Sequence, residues 1–157
     1  MPDAILCLCK TTKNADKVRN DVNEFAKRGL RGLAVAISKG DENFTLIGLL
    51  PILDPPREDT AETINRAVEL GVRVKMITGD QLEIAKETGR RLGMGDTMYI
   101  YEDLLRDKGG SSNNEDDIDD IVLNADGFAS VFPEHKFEIV KRLQDMGHMV
   151  AMTGKVF

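Results

Sequence analysis

The stretch VKMITGDQLEIAKETGRRLGMG, residues 74–95, decides the fold. It opens on a short apolar run, turns at Thr78-Gly79-Asp80, and continues as an amphipathic segment that stops at Gly93. An apolar run bounded by turn residues reads as a buried strand, here over 72–77. The helical spacing that follows predicts a helix over 80–92 with Gly93 as its stop. A strand running straight into a helix is one half of a βαβ unit, and the rest of the chain repeats the alternation.

Downstream, TMYIY predicts a strand at 97–101. The polar, acidic stretch 106–120 reads as a loop at first, with a short helix over 117–123. GFASVF predicts a strand at 127–132, and Pro133 at the favoured first position opens a helix over 133–146. MVAMTGKVF, 149–157, repeats the strand-to-Thr-Gly turn and predicts a closing strand at 148–153. Upstream, a helix over 58–70 starts near Asp59 or Thr60 and stops at Gly71. Strands alternating with helices of this length imply right-handed crossovers and a parallel sheet. Ligands of such sheets lie beyond the carboxyl ends of the strands, where both Thr-Gly turns fall. Both turns are therefore expected to point into one crevice.

The pattern differs before residue 54. A short helix at 3–9 and an amphipathic helix at 14–28 ending at Gly29 precede two strands, 30–37 and 44–50, joined by SKGDEN as a hairpin. Asp54-Pro55-Pro56-Arg57 is a stiff extended connector, because each proline fixes its own φ and restricts its predecessor. It marks the expected boundary between an N-terminal α+β piece and an α/β domain.

Charge and composition exclude several classes. The chain has 157 residues, 41% hydrophobic and 31% charged, with net charge −6, so nucleic acid is not its expected main partner. The longest apolar stretch, TLIGLLPIL at 45–53, contains Pro51 and is too short to span a bilayer. Cys7 and Cys9 are the only cysteines; they lack the partners of a zinc site and read as reduced, structural thiols in a cytosolic setting. The acidic run 115–120 lacks the glycine and terminal glutamate of an EF-hand loop and reads as a solvated linker.

Several residues suit anion chemistry. Thr78 offers a hydroxyl, Gly79 allows close backbone approach, and the amides of a helix start attract phosphate. Asp80 would equally serve as a helix cap, and both readings stand. Lys136 lies in the first turn of a helix, where a cation opposes the dipole unless an anion compensates; an exposed lysine is the plain alternative. Arg31 and Arg57 would each fork onto a phosphate or remain ordinary surface residues. His135 reads as a surface residue.

Taken in order, RGLRGLAVA (28–36), GLLPILDPPREDTAETI (48–64), residues 71–95 and ADGFASVFPEHKFEIVKRLQ (125–144) resemble the cytoplasmic region of P-type ATPases. The resemblance is nearest to plasma-membrane proton pumps of the plant and fungal type. It implies that residues 1–53 are the C-terminal part of a nucleotide-binding domain, 54–57 a hinge, and 58–157 an incomplete phosphorylation domain. That domain would be a haloacid-dehalogenase-like parallel sheet with flanking helices. Arg31 would approach the ATP phosphates, Asp54 and Arg57 would support the hinge and contact nucleotide, Thr78, Gly79 and Asp80 would hold the phosphoryl group, and Lys136 would neutralise its charge. These roles suit a reaction whose catalysis is positioning and electrostatics.

The departures from the pattern are as informative. The family's nucleophile, the aspartate of Asp-Lys-Thr-Gly-Thr, has no counterpart in this sequence. The magnesium motif Thr-Gly-Asp-Gly-Val-Asn-Asp begins at Thr153-Gly154, but Lys155 stands where its first aspartate belongs, and an ammonium cannot ligate a cation. The resemblance thus implies a piece of a larger pump that uses ATP and Mg2+, with the Mg2+ site absent from this chain. The parent would sit at the plasma membrane, and this chain alone is expected to be soluble, cytoplasmic and catalytically inactive. Its expected partners are ATP and the parent's remaining domains. A non-catalytic nucleotide-binding or regulatory module and a soluble phosphatase of the same superfamily are the competing readings.

Overall fold

The computed structural model describes residues 2–9, 15–38, 40, 44–106 and 115–154. It begins with helices α1 (Pro2–Leu8) and α2 (Ala15–Lys27), followed by strands β1 (Leu30–Ser38) and β2 (Phe44–Leu53). The two strands form an antiparallel pair running from Leu30↔Leu53 to Ser38↔Phe44, with a bulge at Val35/Ala36. Gly29, at φ +73, supplies the left-handed residue that turns α2 into β1. The amphipathic spacing of α2 buries Val18, Val22 and Ala26 against the hairpin. Most of the SKGDEN turn, residues 39 and 41–43, lies outside the described residues.

After the extended 54–57 segment come α3 (Thr60–Glu69), β3 (Met76–Ile77), α4 (Leu82–Leu92), β4 (Met98–Ile100) and α5 (Tyr101–Arg106). The chain continues with α6 (Glu115–Asn124), β5 (Gly127–Ala129) and α7 (Pro133–Asp145). The three short strands form a parallel sheet in the order β3-β5-β4. The non-sequential order follows from crossovers packing helices over the sheet, as the alternating sequence requires. This is the α/β arrangement, a parallel sheet with flanking helices, that the sequence implies.

The core lies between sheet and helices. Tyr101, Ile118, Val122, Phe128 and Ile139 are its fully buried large side chains. Strand β5 is buried at every position, as the central strand of a parallel sheet must be. Lys75, half-buried just before β3, donates from Nζ to the carbonyls of Leu123 (2.8 Å) and Ala125 (2.6 Å). It closes the C-terminal end of α6, where otherwise unpaired carbonyls and a cation suit one another.

Four expectations are corrected. The strand expected at 97–101 ends at Ile100, and Tyr101 opens α5; residues 107–114 lie outside the described residues. The acidic run 115–120, expected as a solvated linker, forms the first part of α6. The expected strand at 72–77 shrinks to Met76–Ile77. The expected closing strand at 148–153 does not form. A strand exists through ladder bonds to a neighbour, and this segment has none among the described residues. Met149 and Met152 are instead 102% and 61% exposed, while Val150 rests against the core.

Candidate functional site

The site begins where β3 ends. Thr78, Gly79 and Asp80 follow the last paired residue of the strand, and α4 starts at Leu82 with Gln81 as its N-cap residue. Gln81 makes no side-chain cap bond, and Asp80 is not the cap. Its carboxylate turns to Arg31, which forks onto it with Nε–Oδ1 at 3.0 Å and Nη2–Oδ2 at 2.9 Å. The remaining nitrogen of Arg31, Nη1, reaches Asp54 Oδ2 at 2.7 Å. One guanidinium thus joins the first residues of β1, the start of the proline connector and the turn after β3. These carboxylates raise the pKa of Arg31, the hydrogen bonds it donates to Asp80 most strongly.

Thr78 is committed within the same turn. Its Oγ1 donates to Asp80 Oδ2 at 3.3 Å and accepts from the Asp80 amide at 3.1 Å. Gly79 is exposed, lies outside the left-handed region, and a Cβ there would meet only Val131 O at 3.7 Å. Among the described residues nothing demands glycine at this position.

Beside the turn lies a cleft of about 250 Å3, lined by Gly29, Arg31, Asp54, Pro55, Pro56, Asp80, Ile84, Thr88 and Leu92. The connector prolines form one wall and α4 the other. The cleft is below the usual range for a whole organic ligand, roughly 300–1,000 Å3, and its lining sets the carboxylates of Asp54 and Asp80 against the one guanidinium of Arg31.

Ser130 belongs to this construction and nothing in GFASVF announces it. It is the one non-glycine residue with positive φ among the described residues, at 53°. That geometry costs an L-residue about 1–2 kcal/mol. It aims the Ser130 amide at the Asp80 carbonyl (2.8 Å), while the next amide, Val131 N–H, donates to Thr78 O (3.0 Å). The exit of β5 thus clamps the turn at the exit of β3.

The structure therefore brings Arg31, Asp54, Thr78 and Asp80 together, with Gly79 at their edge. Lys136 is half-buried in the first turn of α7, which opens from the strand neighbouring β3; its ammonium makes no ion pair among the described residues. Arg57 is exposed and likewise unpaired among them. The second Thr-Gly turn is not assembled: Thr153 and Gly154 are exposed, and Lys155 lies outside the described residues.

A haloacid dehalogenase-like hydrolase family model matches residues 11–155. The chain belongs to the haloacid dehalogenase-like hydrolases. Enzymes of this family transfer phosphoryl groups and typically use Mg2+. The described residues do not fit that ion: no three His, Cys, Asp or Glu side chains converge, and Asp80 is held by Arg31 and Thr78. Among the described residues no helix is long and apolar enough to cross a membrane.

Proposed function

We propose that this haloacid dehalogenase-like chain is the cytoplasmic phosphoryl-transfer region of an ATP-driven, proton-exporting P-type ATPase. Residues 1–53 would belong to the nucleotide-binding domain, 54–57 to the hinge and 58–157 to the phosphorylation domain. The observation that carries the reading is the Arg31 guanidinium bridging Asp54 and Asp80. A nucleotide-side arginine, a hinge carboxylate and a phosphate turn meet where ATP phosphates would have to pass between domains.

In this reading the incoming phosphates compete with Asp80 and Asp54 for the Arg31 fork, which suits phosphate as well as carboxylate. Thr78 and the Gly79 backbone then hold the transferring group, and Lys136 supplies the uncompensated positive charge. Arg57 would reach the nucleotide when the hinge closes. The covalent step belongs to an aspartate in the parent protein, which would sit at the plasma membrane with this region on its cytoplasmic side. This chain alone would bind ATP and turn none over.

Titration of the 15N-labelled chain with ATP tests this. Expected are amide shifts at Arg31, Thr78 and Gly79, and an affinity at least ~10-fold weaker in Arg31→Ala. No shift at millimolar ATP would remove the nucleotide-binding reading. The soluble phosphatase alternative fits the family equally and has its own outcome. Hydrolysis of a phosphomonoester above a heat-killed control, lost in Lys136→Ala, would establish it and overturn the expectation of an inactive chain.

A further inference from the structure

Resting on the reading of Thr78 and Lys136 as two sides of one phosphate seat, we propose that Ser130 is a positioning residue. The one-residue bulge it makes at the exit of β5 sets where Lys136 stands relative to the Thr78–Asp80 turn. The bulge shows in the hydrogen-bond register. Along the parallel β3–β5 pair, Met76 N–H donates to Asp126 O (3.0 Å) and Thr78 N–H to Phe128 O (2.9 Å). A regular parallel ladder would continue with Ser130 N–H donating to Thr78 O. Val131 N–H makes that bond instead (3.0 Å), and Ser130 N–H goes to Asp80 O (2.8 Å). One residue is inserted after β5, and it is the residue at φ 53°. A left-handed residue in an added position is the geometry of a β-bulge, a device that ends pairing and re-aims the chain that follows.

Side-chain bonding does not account for the strain. Ser130 Oγ lies 3.5 Å from Asp80 O, too far for a strong hydrogen bond, and glycine or asparagine would adopt this region at less cost. What the conformation secures is the path beyond it. Val131 is buried in the core cluster, Phe132 is extended at φ −78° and ψ 161°, and Pro133 fixes the next φ as α7 opens. Lys136 N–H then donates to Phe132 O at 3.2 Å, and Ile139 and Leu143 anchor the helix in the core. Every step from Ser130 to Lys136 is thus fixed by burial, by proline or by the helix itself. Turning Ser130 to an ordinary negative φ would break its bonds to the turn or swing the start of α7 away from it. A non-glycine left-handed residue held by its surroundings is the kind of strain that functional sites retain.

NMR couplings across hydrogen bonds in the full isotope-labelled chain read the register directly, with no variant. They should connect the Val131 nitrogen to the Thr78 carbonyl carbon and the Ser130 nitrogen to that of Asp80. A coupling from the Ser130 nitrogen to the Thr78 carbonyl would overturn the bulge and the proposal with it. Titration with ATP and with inorganic phosphate then tests the role. Ser130→Val, a β-branched residue that does not tolerate positive φ, should bind both at least ~10-fold more weakly, the scale expected when a group is misplaced by on the order of 1 Å. Ser130→Gly, which keeps the left-handed region open, should bind within ~2-fold of the unchanged chain. Ser130→Ala, a milder strain, should fall between the two and serves if the valine variant does not fold. In a Lys136→Ala background the Ser130 changes should cost nothing further, because Ser130 acts through that lysine. A merely structural role would instead lower the urea midpoint and leave the two losses additive. Full affinity in Ser130→Val, a loss in Ser130→Gly as large as in Ser130→Val, or additivity with Lys136→Ala would overturn the proposal while leaving the phosphate seat in place. An unchanged chain that responds to neither ATP nor phosphate would remove the seat itself, and the positioning role with it.

Discussion

At the scale of single residues, Tyr101 shows how a buried group can be read twice. Its side chain is 1% exposed, its ring meets Phe128 edge-on at 5.8 Å, and its Oη has no hydrogen-bond partner among the described residues. Burial pushes the phenol above its ordinary 10.0, with the nearby Arg142 guanidinium pulling the other way. A pKa raised on folding means the folded protein keeps a proton that the unfolded chain gives up. The associated stability is complete below pH 10.0 and is lost as pH rises through the folded value. Tyr101→Phe should therefore cost less than about 1 kcal/mol at neutral pH, since it deletes an unpaired hydroxyl. It should also flatten the alkaline loss of stability. Urea midpoints of both chains at neutral pH and above pH 10 check this; parallel slopes would show that the phenol does not titrate late. At this scale the sequence discloses part of the site. Thr78 and Asp80 stand out because a strand-to-helix turn is visible in the hydrophobic pattern. The choice of Asp80 between capping α4 and pairing with Arg31 is not visible, because it depends on a partner 49 residues away. Lys75 and Ser130 carry no local signal at all, since their partners are backbone carbonyls whose positions only the fold supplies.

At the scale of elements, α4 ties the two parts of the molecule together. Its N-terminal end receives the Arg31 fork, and its C-terminal half packs on the turn after α2, where Arg91 Nη2 donates to Arg28 O at 2.8 Å. Gly89 lies inside this helix, where it costs about 1 kcal/mol relative to alanine in propensity. Contact explains it: a Cβ at this position would run into the Gly95 carbonyl and the Met98 methyl. Gly89→Ala should thus destabilise by about 1–3 kcal/mol despite the better helix former, because overpacking a buried site outweighs propensity. A chemical denaturation midpoint that rises in the variant would show that the 93–97 turn yields freely. Helices α2, α3, α4 and α7 were legible because about three turns of spacing and a glycine just past the end mark each of them, whereas α5, six residues long, has neither signal. The strands were legible in place for five of the six expected, but not in length, and the sixth, at 148–153, does not form among the described residues. β3, β4 and β5 pair over two or three residues each, and how far a run of apolar residues pairs depends on neighbours that its own sequence does not contain.

At the scale of the whole molecule, the parallel sheet ends openly. β3 pairs with β5 on one side and has no described neighbour on the other, while Val150 and Ile77 lie against the same core cluster without a ladder between them. Close by in sequence, Val68, Leu70 and Val72 are 56%, 83% and 53% exposed, and Met149 and Met152 are exposed as well. An unpaired edge with apolar residues at its margins is a template for another strand. Under the proposed function, that strand is the one bearing the family's aspartate, and its C-terminal end would arrive beside Thr78. A synthetic peptide of a short apolar run ending in Asp-Lys-Thr-Gly-Thr should then bind the chain, slow amide exchange at Ile77, and turn 148–153 into a protected strand. It should raise the thermal midpoint by mass action, since a ligand of the folded state alone stabilises it. A peptide with the apolar run scrambled should do neither. Equal effects of the two peptides would mean that the edge captures any apolar strand. Protection confined to the β1–β2 hairpin would place the binding elsewhere, and either result would remove the assignment of this edge to the missing strand.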